Sequence, residues 1–274
     1  MAIAKQATSN WLISHRINLK FYYFVYHTMS AKPTETHIHQ GKNPLSKYQE
    51  YLGEFVYGGI DGCVTTFAVV AGAAGANLGS NVILILGFAN LFADGFAMSV
   101  GSYLSAKAEQ ENYDKHKRRE YWEIENFREK EIEEIREIYE AKGFEGELLE
   151  KAIEVITADK DRWVDVMMKE ELEMFESGKA PIQSGLMTFI SFVIVGFIPI
   201  MVYLADFAFD MQLGDKSFIW SAALTAFGFI TIGYLKSIVN HTSKKKGILE
   251  TLILGTIAAL VAYFLGDFLE GVLR

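Results

Sequence analysis

Between Gly62 and Ala93 the chain runs for 32 residues without a charged side chain. A helix rises about 1.5 Å per residue and the hydrocarbon core of a bilayer is about 30 Å thick, so a spanning helix takes roughly 20 apolar residues. The run is too long for one span, and Asn77-Leu78-Gly79-Ser80-Asn81 in its middle is a cluster of turn formers. It reads as two helices, over residues 54–76 and 82–106. Three further stretches qualify. Ala180 to Ala205 is uncharged over 26 residues, Ser217 to Leu235 over 19, and Thr251 to Gly266 over 16, with Ile248-Leu249 extending the last. Buried helices of a large soluble core are the alternative, but those are usually shorter and amphipathic. The expected fold class is an all-α membrane protein with five transmembrane helices.

Charge divides the chain of 274 residues into unlike parts. Residues 107–180 hold 23 of the 34 acidic and 14 of the 26 basic side chains, so this part carries −9 while the rest of the chain sums to about +1. A charged, soluble helical insert therefore separates spans two and three. The domains expected are a tail over 1–50, spans one and two over 51–106, the insert over 107–180, and spans three to five over 181–274. The acidic balance argues against nucleic acid, which needs a basic face. Cys63, the only cysteine, excludes an intrachain disulfide and a cysteine-based zinc site.

Cytoplasmic connections retain Lys and Arg, which sets the orientation. Lys32, Lys42 and Lys47 precede span one, the insert carries its basic residues, and Lys236, Lys244, Lys245 and Lys246 lie between spans four and five. Five spans put all three on one side, so the tail and the insert are expected to be cytoplasmic. The other side receives the uncharged 77–81 turn, the loop with Asp206, Asp210 and Asp215, and Arg274. Residues 1–28 lack the apolar core and small-residue cleavage site of a signal peptide, and Met29 is an alternative start.

An ionisable residue inside a span costs about 2.5 kcal/mol or more and usually marks a pathway or a paired site. Span one has Asp61, with Glu54 seven residues earlier on nearly the same helical face. Span two has Asn90, Asp94 and Met98 at four-residue intervals, within about 80° of one another. Carboxylate and amide oxygens suit hard or borderline divalent cations, and a thioether shifts preference towards Fe²⁺ over Mg²⁺. The plainer reading is that both aspartates only hydrogen-bond within a bundle and that Met98 fills space. Glycines of spans one and two allow close helix approach, and Pro199 is expected to kink span three.

These residues resemble the vacuolar iron transporter family. The similarity begins at Gly59-Ile60-Asp61-Gly62 and continues through Phe67-Ala68-Val69-Val70-Ala71-Gly72. It resumes at Ala97-Met98-Ser99-Val100-Gly101-Ser102-Tyr103-Leu104-Ser105-Ala106-Lys107, at Trp163-Val164-Asp165-Val166-Met167-Met168-Lys169 with Glu171, and at Gly233-Tyr234-Leu235-Lys236. It covers about 50–271, in order. The resemblance implies a homodimer that exports Fe²⁺ or Mn²⁺ from the cytosol in exchange for protons, through a pore between the first spans of two protomers, for metal homeostasis and detoxification. Co²⁺ and Zn²⁺ are further candidate cargoes, and no cofactor is implied. Asp61 and Met98 fall on the family's pore positions. A third, often Glu, is here Asn90, and Asp94 one turn on is the carboxylate available in its place. The membrane implied is the plasma membrane in a prokaryote and a vacuolar or other endomembrane in a eukaryote.

In the insert, residues 107–142 read as a charged helix continuing span two, followed by helices at 147–156 and 160–176. Glu120, Glu123, Glu131 and Glu134 share one face of the first, and a break near Asn126-Phe127 would leave each i,i+3 pair intact. Met167, Met168 and Glu171 lie on the last. By resemblance all seven belong to a metal-binding site, whereas an arbitrary charge run would be a solvated helix surface. A ferritin-like di-iron centre needs Glu-x-x-His, and His116, the insert's only histidine, follows Tyr113 at that spacing. His37 and His39 of the tail could touch metal. Two other functions stay open: a membrane-anchored metal buffer or sensor without transport, and a scaffold without ligand. No Gly-x-x-x-x-Gly-Lys-Ser/Thr loop exists, so ATP-driven pumping is not indicated, and no enzyme activity is expected.

Overall fold

A computed structural model describes residues 51–214 and 216–273. Residues 1–50, with Met29, His37, His39, Lys32, Lys42 and Lys47, lie outside the described residues, as do Asp215 and Arg274. The described residues fold into helices without strands: α1 (Leu52–Gly75), α2 (Ser80–Asn126), α3 (Arg128–Ala141), α4 (Gly146–Thr157), α5 (Lys160–Glu170), α6 (Pro181–Gly196), α7 (Ile198–Phe209), α8 (Lys216–Val239) and α9 (Lys244–Leu273). The turn expected between the first two helices is there, with Asn77 in the left-handed region at φ 52°.

α1 is the hub of the apolar bundle, packing on α2, α6, α8 and α9. In lipid no water is expelled when helices meet, so association rests on close van der Waals packing, and small residues permit it. A methyl group on Gly62 would come within 2.5 Å of the Phe192 carbonyl oxygen, and one on Gly196 within 2.8 Å of the Gly62 carbonyl oxygen. The α1–α6 crossing is thus as close as two backbones allow. Two apolar clusters flank it. One joins Val70, Leu91, Phe192 and Ile200, and the other joins Cys63, Phe67, Phe229 and Ile232. Three buried hydroxyls are satisfied inside their own helices: Thr188, Thr225 and Thr251 each donate to the carbonyl four residues back, at 2.7 to 2.9 Å, while Ser221 of α8 donates across to the Pro199 carbonyl of α7.

Four helices, α1, α2, α8 and α9, are long and apolar enough to cross a membrane, and α6 with α7 makes a fifth if the pair counts as one span. That pair bends by 52°. The bend falls at Phe197, two residues before Pro199, where the proline ring has no N–H to donate and would crowd the carbonyl of Val195 in a continuous helix. Outward faces of α2 and α9 expose Ile85, Phe92, Phe96, Ile257, Phe264 and Phe268, as helices bathed in acyl chains would.

At 47 residues α2 would be about 70 Å long, more than twice the hydrocarbon thickness. Its charged half runs on into a small helical module with a core of its own. Tyr113 and Ile124 of α2 pack with Ile135 of α3, Leu149, Ile153 and Ile156 of α4, and Trp163, Val164, Met167 and Met168 of α5. The single helix expected over 107–142 is instead two, α2 and α3, divided at Phe127, whose backbone leaves the helical region at φ −131° and ψ 35°. The last helix is shorter than the expected 160–176: it ends at Glu170, because Leu172 and Met174 turn their N–H groups back to the Met167 and Met168 carbonyls and Glu173 takes the left-handed conformation at φ 50°. Residues 172–180 then lead back to α6 without helix.

Candidate functional site

Neighbouring helices cover α1 on most sides and leave one stripe open. Glu54, Tyr57, Asp61 and Thr65 recur along it at three- and four-residue steps, part-buried except for Tyr57, which is 76% exposed. Beside it runs a matching stripe of α2. A cleft of about 680 Å³ lies between the two, lined by Gly53, Glu54, Tyr57, Asp94, Ala97, Met98, Gly101, Ser102, Ser105, Lys179 and Thr188. Two carboxylates, a thioether, hydroxyls and an ammonium thus gather within an apolar frame. Carboxylate oxygens and a thioether are atom types that divalent transition metals accept, whereas the ammonium is a competing cation.

The expected pore residues divide. Asp94 and Met98 line the cleft, and Glu54, expected to share a face with Asp61, lines it too. Asp61 is not among the lining residues. It sits half-buried two turns along α1 from Glu54, close enough to Asp94 for the two charges to repel. Asn90 lies one turn before Asp94, and its Nδ2 is buried without a hydrogen-bond partner. Sequence reasoning missed Tyr57, Ser102, Ser105, Thr188 and Lys179. Ser102 and Ser105 were within reach, since they continue the spacing of Asn90, Asp94 and Met98 by four and three residues. Lys179 was not, because it comes from a segment far away in the chain.

The second candidate is the acidic cluster of the module. Glu120 of α2 and Glu131 of α3 are each only 3% exposed, and the Oε2 atom of each is buried without a hydrogen-bond partner. Burial, with the charges of Glu171, Glu123 and Glu134 close by, pushes both carboxyls up to about 7. Glu171, which caps α5 and keeps an exposed side chain, is raised by partial desolvation of its carboxylate and by Glu134 and Glu123. The five carboxylates therefore share one electrostatic neighbourhood although they come from three helices. Glu123 and Glu134 also pair with Arg119 and Lys130, at 3.1 and 2.9 Å. Among the described residues no three His, Cys, Asp or Glu side chains are drawn together tightly enough to enclose an ion as they stand. Met167 and Met168 have no accessible surface and belong to the apolar core beneath the cluster. Tyr121 donates to Asp161 at 2.7 Å and Asp159 caps α5 through the Arg162 N–H at 2.8 Å, which fixes that helix beside α2.

Comparison with known proteins identifies the chain's relatives. The vacuolar iron transporter of Toxoplasma gondii is 32% identical over 235 residues, covering 84% of this chain and 78% of its own. Vacuolar iron transporter 1 of Arabidopsis thaliana is 30% identical over 245 residues, with 89% and 92% covered. The vacuolar iron transporter of Plasmodium falciparum is 30% identical over 227 residues, with 81% and 83% covered. These relatives are named as transporters, not enzymes. The sequence pattern of the VIT family matches residues 52–267, which takes in the cleft and the acidic cluster alike, and the chain belongs to the VIT family.

Proposed function

We propose that this protein moves Fe²⁺ and Mn²⁺ out of the cytosol across an endomembrane in exchange for protons, with Asp61, Asn90, Asp94 and Met98 along the path. The observation that carries the reading is the uncovered stripe of α1 and α2, where Glu54, Asp61, Asp94 and Met98 stand in a frame of membrane-crossing helices. A membrane tether needs no carboxylate at that depth, since each one costs insertion energy. The stripe lies open on one side, which favours a homodimer whose second copy completes the path between the two α1 helices. Five spans, a cytoplasmic module over 107–180 and a cytoplasmic tail complete the architecture. In the module Glu120, Glu123, Glu131, Glu134 and Glu171 gather metal from the cytosol, with Met167 and Met168 close by.

Uptake of Fe²⁺ or Mn²⁺ into liposomes containing the purified protein tests this, with a proton gradient imposed or absent. Uptake that accelerates when the interior is acidic is expected. Asp94→Asn should lose that acceleration, because Asn90 supplies no acid in its place. The rival, an anchored metal buffer or sensor, is favoured by the orphaned oxygens of Glu120 and Glu131 alone. It predicts metal binding by the protein with no uptake.

A further inference from the structure

Lys179 lies in the same cleft and has no part in the path as proposed. Its Nζ donates to Glu54 Oε1 at 2.8 Å. The next residue, Ala180, donates its N–H to the Tyr51 hydroxyl oxygen at 2.9 Å, and Tyr51 is buried. Both donors belong to the non-helical segment between α5 and α6, so this segment is fastened to the start of α1 at the cleft. The other oxygen of Glu54, Oε2, is buried without a hydrogen-bond partner. One carboxylate oxygen is thus held by an ammonium while its twin stays unsatisfied, a costly arrangement for a buried charge.

Lysine carries a compact single charge on a flexible stem and can swing away without any change in the helices. A divalent ion brings twice that charge and accepts both oxygens of one carboxylate, together with Asp94 and Met98 of the same cleft. A monovalent ion brings no more charge than the ammonium it would replace. We propose that Lys179 is a tethered counter-cation that holds Glu54 until an entering divalent ion displaces it, so that the cleft discriminates by ion charge. This rests on the transport reading. A built-in competitor lowers apparent affinity by the fraction of sites it leaves free, and it resumes its place when the ion moves on.

Two measurements on the full-length chain test the lysine, with Mn²⁺ as the probe. In liposomes Lys179→Gln should lower the KM for Mn²⁺ on the order of fivefold, and Lys179→Arg should restore a KM near the parent's. In a Glu54→Gln background the lysine change should no longer move the KM. In detergent, acetylation of Lys179 read by mass spectrometry should rise on adding Mn²⁺ but not K⁺, and Glu54→Gln should be highly labelled without metal. An unchanged or raised KM in Lys179→Gln, or labelling indifferent to Mn²⁺, overturns the proposal. Liposomes of the parent that take up no Mn²⁺ sink the transport reading instead, and the labelling then decides the lysine's role by itself.

Discussion

Asp61 stands half-buried on the open side of α1 with the Asp94 carboxylate nearby. A divalent ion passing here would relieve the repulsion between two like charges in a poorly solvating frame. Asp61→Asn keeps the shape and removes that charge, so uptake should fall more than about tenfold while the protein elutes from a sizing column as the parent does. Equal uptake would remove Asp61 from the path. Met98→Ala should weaken Fe²⁺ or Co²⁺ uptake more than Mn²⁺ uptake, because thioether sulfur favours the softer ions. Equal loss for every metal would make Met98 a packing residue, a role its contact with the Leu91–Phe192 cluster already gives it in part. In the module, Glu120 and Glu131 titrate near 7, above the ordinary value of 4.5. Folding therefore favours their protonated forms. Their contribution to metal-free stability is fully present below about pH 4.5 and is lost as pH rises through about 7. Metal requires the opposite charge state, so Mn²⁺ should bind more weakly at pH 6 than at pH 8 and should release protons on binding. Calorimetry in buffers of different ionisation enthalpy reads that release.

At the scale of helices, the module is the element most able to stand alone, since Trp163, Ile135 and Met168 give it a core that needs no membrane helix. Residues 107–180 expressed separately should be soluble and mostly helical. A divalent ion that offsets the repulsion among the five glutamates should raise their melting temperature by mass action. Glu120→Gln, Glu123→Gln and Glu171→Gln together should abolish that rise. Glu137→Gln with Glu147→Gln should keep it, because both side chains are exposed and Glu147 already pairs with Lys151. If triple and control variants respond alike, the acidic face is only a solvated surface. The membrane helices themselves were legible in the sequence because charge-free length and turn formers are local signals: the Asn77–Asn81 turn and the bend before Pro199 fall where those residues stand, whereas the division of 107–142 at Phe127 has no such marker. What escaped was set by contacts distant in sequence. The end of α5 is decided by backbone groups of Leu172 and Met174 folding back, and no residue there is an obvious stop signal. Met167 and Met168 join the metal-binding set by family resemblance, and their thioethers are packed inside the module core, which only three-dimensional packing reveals.

For the whole molecule, the bent pair α6–α7 decides how the chain is threaded. If the pair crosses the membrane, the module and the α8–α9 connection share one side, and the end of α9 lies opposite. If it turns back, α8 and α9 are both inverted and the end of α9 returns to the side of the module. Lys244, Lys245 and Lys246 begin α9 and are exposed. Only the crossing arrangement puts these lysines on the side of the module, in agreement with the retention of positive charge on cytoplasmic loops. Cys63 is the chain's only cysteine and is fully buried, so introduced cysteines report without background. Glu147→Cys on α4, Asn81→Cys at the start of α2 and Gly271→Cys near the end of α9 each replace an exposed residue. In sealed vesicles an impermeant maleimide should reach position 147 from the cytosolic side, and positions 81 and 271 from the opposite side only. Labelling of 271 together with 147 would mean that α6–α7 turns back, leaving four spans. Metal leaving past Asn90 would then emerge on a face whose lysine-rich connection repels cations, which makes the five-span threading the electrostatically consistent one.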